Sequence, residues 1–308
     1  MKILGIGNAI VDVICKVDED FLLKNSLTKS TMKLVNENEF KNLISLINIE
    51  ETISGGSVAN SIVGLSQLGN NVGFIGKIND DVLGKKYEEG LIQENVSYLY
   101  NKKSEALPTG TCLVLITPDS ERTMCTFLGT SGKINEKDIH PSIIEKSEMI
   151  FLEGYLWDEG EPQKAFEKAI NYSKKTAMSL SDSFCVERHK DKFLDLIKNK
   201  LNIIFANENE MMSLTNSKSF NEVINFCKII KKTFIITRGA EGAVSIINGN
   251  VIECKAKSNI NIVDLTGAGD LFAAGYLHGH LNNFSPIECL LRGTDMSAKI
   301  IQKIGARI

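Results

Sequence analysis

Gly267, Ala268, Gly269 and Asp270 stand in a row and combine two requirements of group transfer, an anion-accepting turn and a proton acceptor beside it. Bare glycine backbone lets N–H groups converge on an anion at the positive end of a helix. An acid in the first helical turn is held ionised by the macrodipole and can still accept a proton. Val263-Asp264-Leu265-Thr266 before the tetrad and Leu271-Phe272 after it read as the end of a strand and the start of an amphipathic helix. Taken alone, the tetrad reads equally well as a closed turn whose acid merely complements the helix dipole.

The run Asp264-Leu265-Thr266-Gly267-Ala268-Gly269-Asp270 resembles the D-T-x-G-A-G-D signature of the ribokinase/PfkB family of carbohydrate and nucleoside kinases, and other pieces of the family pattern follow in order over residues 3–305. The resemblance implies an α/β protein, a ribokinase-like three-layer α/β/α sandwich with a mainly parallel central sheet and a small β-sheet lid. It implies ATP as phosphate donor, Mg²⁺, and a primary hydroxyl as acceptor. Asp270 is then the general base, and the amides of Gly267, Ala268 and Gly269 form the anion hole. Leu265 stands where the family often has Thr, next to a monovalent-cation site that relatives build from the Asp264 region and the loop near Gly305, so K⁺ dependence is left open.

Gly5-Ile6-Gly7-Asn8 lacks the third glycine of a dinucleotide fingerprint and runs into β-branched residues rather than a helix. Through Asp12 it is similar to the G-N-x-x-x-D segment of adenosine kinases, which implies that Asp12 supports ribose hydroxyls; a turn or strand-edge acid is the plain alternative. Gly55 and Gly56 open a helical pattern, with Ile62, Leu65 and Leu68 at helical spacing and Asn60 one turn in. Bare backbone admits a hydroxyl-rich ligand, and Asn60 can donate and accept. The family's G-G-x-x-x-N contacts the sugar, whereas a capping turn with a surface Asn needs no ligand. Residues 76–84 resemble the family's G-x-x-G-x-D-x-x-G with Asn79 at the second glycine, a residue that tolerates positive φ.

Residues 109–117 and 122–128 are β-rich and joined by Pro118-Asp119-Ser120-Glu121, so they read as a hairpin. In the family such strands close over the substrate. Phe127 covers the sugar or base in that reading and is core packing otherwise. Asn207 and Glu210, three apart at a helix start, are oxygen donors that suit Mg²⁺ held through water, but Asn-x-x-Glu is also a capping box. Thr237-Arg238-Gly239-Ala240-Glu241-Gly242 resembles the family's T-x-G-x-x-G, which implies that Thr237, Gly239 and Gly242, with Asn207, lie on the ATP side.

Positioning these loops requires strands that end on one side. Strand and helix patterns alternate at 149–152, 163–174, 176–180, 189–198 and 202–206, which implies a mainly parallel sheet covered on both faces, with ligands beyond the carboxyl ends. Two final helical patterns, 271–281 and 286–303, can pack closely through Gly275 and Gly279. No repeat or Pro/Gly linker divides the chain, so one kinase domain over 1–308 is expected, with lid strands inserted from about 12–36 and 97–128.

At 308 residues, 43% hydrophobic and 24% charged, the chain can bury a large core. A formal charge of −3 offers no basic field, which argues against nucleic acid as the main partner. Seven cysteines without C-x-x-C spacing read as reduced packing residues, and His278 and His280, two apart, diverge on a helix. No apolar run approaches a membrane span and Met1–Gly5 breaks too early for a signal segment, so a cytoplasmic protein is expected, monomer or homodimer. Three functions stand: a nucleoside kinase nearest the adenosine kinase pattern, a ribokinase-like kinase of a free pentose or other small sugar, and a non-catalytic metabolite-binding protein. Ser181-Asp182-Ser183-Phe184 lacks the D-x-N-x-R of fructokinase-like members, which weakens a hexose. The lid separates the first two, because a base needs an apolar slot and a free sugar needs polar closure.

Overall fold

The computed structural model describes residues 1–119, 121–157 and 160–308. Its strands are β1 (Ile3–Ile6), β2 (Ile10–Lys16), β3 (Met32–Leu34), β4 (Glu51–Ser54), β5 (Val72–Ile75), β6 (Ser97–Tyr98), β7 (Gly110–Ile116), β8 (Arg122–Phe127), β9 (Met149–Glu153), β10 (Thr176–Ser179), β11 (Ile203–Asn207), β12 (Thr233–Thr237), β13 (Ala243–Ile247) and β14 (Asn250–Cys254). Nine of them form one sheet in the order β14-β13-β12-β11-β10-β9-β1-β5-β6. It is parallel from β6 to β12 and antiparallel at the β13–β14 edge.

The central strands are apolar throughout because both faces are covered. Their side chains alternate between two cores: Ile3, Met149, Phe151, Ile203 and Phe205 point to one, Leu4, Ile150, Leu152 and Ile204 to the other. Helices Ser57–Gln67, Ala268–Leu281 and Pro286–Ile300 cover the first face. Glu161–Tyr172, Ser183–Asn199, Glu208–Thr215 and Phe220–Ile230 cover the second. The last two helices of the chain meet through glycine, as expected: a Cβ on Gly275 would lie 2.4 Å from the Arg292 carbonyl oxygen, and one on Gly279 2.9 Å from Cys289 Sγ. All seven cysteines are buried and unpaired. Among the described residues no helix is long and apolar enough to cross a membrane.

Five strands form a second, small sheet in the order β3-β8-β7-β2-β4. Beside β2, β3, β7 and β8 it includes β4, which lies outside the stretches 12–36 and 97–128. Ser97–Tyr98 pairs with β5 in the large sheet, while Glu51–Ser54, a short and partly charged stretch without a strand pattern, pairs antiparallel with β2. The 12–36 and 37–50 stretches also contain helices, Glu19–Lys24 capped by Asp18 and Glu37–Ser45 opened by an Asn36/Glu39 capping box. The β7–β8 hairpin forms as read; of its four turn residues, Ser120 lies outside the described residues. Asn79 does not use positive φ. Its side chain instead holds the 105–107 loop, accepting from the Glu105 N–H at 2.9 Å and donating to the Leu107 carbonyl at 3.0 Å.

Candidate active site

The strands of the large sheet deliver their carboxyl ends to a cleft roofed by the small sheet. At its floor Gly267 adopts φ +76 and caps the 268–281 helix without any side-chain cap. Glycine is required there twice over, by the backbone conformation and because a Cβ would sit 2.7 Å from Ala306 Cα. The tight turn returns the Ala268 N–H to the Leu265 carbonyl at 3.2 Å, which takes Ala268 out of the expected anion hole. Among the described residues no protein acceptor takes the N–H of Gly267, Gly269 or Asp270. A Cβ on Gly269 would meet nothing within 4 Å, so the backbone of the turn is open on that side.

Asp270 is held from another helix. Its Oδ1 accepts from Ser57 Oγ at 2.7 Å and its Oδ2 from Asn60 Nδ2 at 3.0 Å, while Ser61 Oγ donates to its carbonyl at 2.9 Å. Desolvation pushes the carboxyl up to about 6, and the hydrogen bonds from Asn60 and Ser57 and the charge of Arg307 pull it back. A group poised there is ionised at neutral pH and basic enough to take a hydroxyl proton.

Three connected cavities meet at this floor. The central one, about 500 Å³, is lined by Asp270, Gly267, Gly269, Asn207, Glu210 and Ser57 among others. It shares Thr237, Ala268, Gly269 and Phe272 with a smaller cavity of about 160 Å³ that Gly239 and Gly242 also line. The four residues expected on the ATP side, Thr237, Gly239, Gly242 and Asn207, therefore line the two cavities beside the glycine turn. At the other end, Ser57, Met124 and Tyr155 lead into a cavity of about 600 Å³. Asn8, Asp12 and Glu153 line it near the first loop; Ile10, Met32, Leu34, Met124, Leu128 and the exposed Phe184 give it apolar surface, with Lys33, Asp182, Glu187 and Arg188 charged beside them.

Asp12 projects from β2 onto Gly55, where a Cβ would lie 2.4 Å from Asp12 Oδ2. Desolvation pushes Asp12 up to about 7 against the charges of Arg307 and Arg122, and the Asp270 carboxylate adds to the rise. Gly56 has φ +96, with its backbone against the Asn8 carbonyl. Glu153 was not legible in the sequence as a site residue; it accepts the N–H groups of Asn8 at 2.8 Å and Val58 at 2.9 Å and so ties the first loop to the 57–67 helix. Its only signal is an acid closing an apolar strand.

Two expected site residues are placed otherwise. Phe127 is buried on the far face of β8, stacked on Phe40 with ring centroids 5.4 Å apart. Strand alternation sends Arg122, Met124 and Thr126 toward the cleft and Thr123, Cys125 and Phe127 away from it. Asp264 is saturated by donors: Oδ1 accepts from the N–H of Thr266 at 3.0 Å and its Oγ1 at 2.7 Å, and Oδ2 accepts from the Gly305 N–H at 2.8 Å and pairs with Arg122 Nη2 at 2.9 Å. That donor set does not fit a side-chain-held monovalent cation, because a guanidinium already supplies the positive charge.

Asn207 and Glu210 form a closed capping box: Asn207 Oδ1 accepts the Glu210 N–H at 2.8 Å, Glu210 Oε2 accepts the Asn207 N–H at 3.1 Å, and the two side chains also bond to each other. Burial pushes Glu210 up to about 7. Both line the central cavity and are hard oxygen donors, so they fit an ion held through water. Among the described residues there is no cluster of three or more His, Cys, Asp or Glu that would bind a metal directly.

The description pfkB family carbohydrate kinase matches residues 6–308. The chain belongs to the pfkB family of carbohydrate kinases. It is 26% identical over 332 aligned residues to adenosine kinase 2 of Arabidopsis thaliana, covering 98% of this chain and 94% of that protein. The adenosine kinase of Sinorhizobium meliloti superposes with a TM-score of 0.92 at 33% identity, over 100% of this chain and 95% of that one. A probable sugar kinase protein of Rhizobium etli CFN 42 superposes with a TM-score of 0.91, also at 33% identity, over 99% and 94%. These relatives place the chain in the adenosine kinase-like branch of the family. As a pfkB kinase it is a phosphotransferase with an alcohol acceptor and ATP as donor, a nucleoside or sugar kinase.

Proposed function

We propose that the chain phosphorylates the primary hydroxyl of a nucleoside, adenosine-like in size. The observation that carries this reading is the two-part acceptor cavity, polar where Asn8, Asp12 and Glu153 converge beside Asp270 and apolar where the small sheet and Phe184 close it. Ribose hydroxyls suit the first part and a flat base the second. A free sugar would fill only the polar part and leave the apolar lining wet. The similarity to adenosine kinases over nearly the whole chain supports the same acceptor class.

Asp270 accepts the hydroxyl proton at the carboxylate oxygens now held by Ser57 and Asn60 as the hydroxyl oxygen attacks phosphorus. The N–H groups of Gly267, Gly269 and Asp270 at the helix N-terminus take up charge on the transferring phosphoryl oxygens. Because the transition state of phosphoryl transfer is loose, positioning and electrostatics carry most of the catalysis and a carboxylate of modest basicity is enough. Mg²⁺, held through water near Asn207 and Glu210, would supply charge neutralisation for the donor phosphates. Thr237, Gly239 and Gly242 would flank those phosphates, and Asp12, Gly55, Gly56 and Asn60 would bound the sugar.

ADP release from Mg·ATP, measured with adenosine, other nucleosides, ribose and fructose offered separately, tests the reading. Turnover with nucleosides is the expected result. Turnover with ribose or fructose alone would keep Asp270 and replace the acceptor; the equal identity to a probable sugar kinase makes this the second reading.

A further inference from the structure

Beyond the 286–300 helix the chain turns at Gly305 and passes under the glycine turn. The Gly305 N–H donates to Asp264 Oδ2 at 2.8 Å, Ala306 packs against Gly267, and the Ile308 carbonyl accepts from Gln67 Nε2 at 3.2 Å. Pinned on both sides, Arg307 donates from Nε to Asn60 Oδ1 at 3.1 Å, and Asn60 donates from Nδ2 to Asp270 Oδ2 at 3.0 Å. Arg307 Nη2 is buried without a hydrogen-bond partner among the described residues, and the side chain lines a cavity of about 40 Å³ with Asp12, Asn60 and Arg122.

An Asn amide has one acceptor end and one donor end. With a guanidinium donating to its oxygen, Asn60 can only turn its NH₂ toward Asp270. Without that donor, the Asp270 carboxylate alone selects the NH₂ end, and the amide is held at one end instead of two. The second consequence is electrostatic. Asp12 and Asp270 are two desolvated carboxylates that disfavour each other's charge, and a buried guanidinium facing both offsets that repulsion. Among the described residues, the other ionisable groups around Arg307 are Tyr87 in the middle of the Val82–Gln93 helix and Glu94 at its C-cap, Arg122 from β8 and, beyond Asp12, Glu153 of β9.

We propose that Arg307 is a positioning residue for phosphoryl transfer: it sets the orientation of the Asn60 amide that aims Asp270, and its charge allows Asp12 and Asp270 to be ionised together. The turnover part of this inference rests on the kinase reading; the electrostatic part does not. The test compares wild type with Arg307→Gln and Arg307→Lys, using the full chain, after equal folding is checked by circular dichroism. Two quantities are read: the pH profile of kcat with adenosine and Mg·ATP, and the ¹³C titration of aspartate carboxyl carbons, assigned with Asp12→Asn and Asp270→Asn.

Expected for Arg307→Gln are carboxyl midpoints and an acid limb of kcat both displaced upward by about one pH unit, a loss of about tenfold in kcat on the acid side that recovers toward pH 9, since one unit of displacement is one decade on that limb. Arg307→Lys keeps the midpoints and loses orientation, seen as a lower plateau of kcat. Carboxyl midpoints unchanged in folded Arg307→Gln overturn the proposal. Displaced midpoints in a protein that does not turn over adenosine leave Arg307's electrostatic role standing and remove the nucleoside acceptor instead.

Discussion

Two Asn–carboxylate pairs stand at two helix N-termini in the same cleft. Asn207 and Glu210 are three residues apart and satisfy one another. Asn60 and Asp270 are 210 apart, and their geometry depends on Ser57 and Arg307 as well. Both carboxyls are raised by desolvation. The first pair is a local unit that forms wherever its helix forms; the second exists only when three distant segments pack together. A carboxylate that must receive a proton is better held by the fold than by its own backbone, because its neighbours can then be chosen for the transferred group and not for the helix.

Breaking the long-range pair has the largest effect. Asp270→Asn removes the proton acceptor while keeping size and hydrogen bonding, and turnover should fall about 10²-fold or more, with ATP affinity retained by calorimetry. Near-normal turnover of the purified variant would take Asp270 out of the mechanism. In Asn60→Ala the carboxylate loses a donor to its ionised form, so its affinity for a proton rises. In wild type kcat should drop as pH falls through about 6, where Asp270 takes up its proton. In Asn60→Ala that limb should move upward and kcat at neutral pH should decline about tenfold, within the range of a mispositioned general base. An unmoved limb would mean that Asn60 does not act through Asp270.

The same division explains what could be read from the sequence. Strand–helix alternation and the glycine turn are local patterns and appear where the sequence places them; the Asn207–Glu210 box, the plain alternative to a metal pair there, is local as well. Phe127 shows the limit. A period of two is visible in residues 122–127, but which face meets the cleft depends on the 37–45 helix packing Phe40 behind the sheet. Asn79 was read through its backbone tolerance, whereas its side chain is what the fold uses. Arg122 and Arg307 bear no local signal at all, since each gains its meaning from a partner more than 140 residues away.

A third carboxylate lies between these extremes. Glu153 is held by two backbone N–H groups from other segments, yet burial still pushes it up to about 7. Its folded-state value lies above its unfolded value, so the folded chain binds the proton more tightly, and the stability this contributes is greatest in acid and is lost as pH rises toward and through about 7. In ligand-free wild type Glu153 should therefore contribute a loss of about 1–3 kcal/mol between pH 5 and pH 8 in urea unfolding, with Asp12, Glu210 and Asp270 adding in the same direction. Glu153→Gln should flatten that slope. An identical slope in the variant would show that Glu153 does not titrate across this interval.

The smallest effect on folding is expected from the local pair. Glu210→Gln preserves the capping box, since Gln at the third helical position also reaches back to the cap backbone, and in acid, where Glu210 is protonated whether the chain is folded or not, the stability read from urea unfolding should move by less than about 0.5 kcal/mol. If the box is only a cap, nothing else changes. If Glu210 also orients water around Mg²⁺, the Mg²⁺ concentration giving half-maximal turnover should rise several-fold while kcat at saturating Mg²⁺ stays near wild type, because the lost charge is outside the reacting atoms. The pair would then be local in its folding and long-range in its use, and the contrast with Asn60–Asp270 would concern assembly rather than function. An unchanged Mg²⁺ requirement would confine Asn207 and Glu210 to the helix they start, and the phosphoryl-transfer machinery to the residues gathered around Asp270.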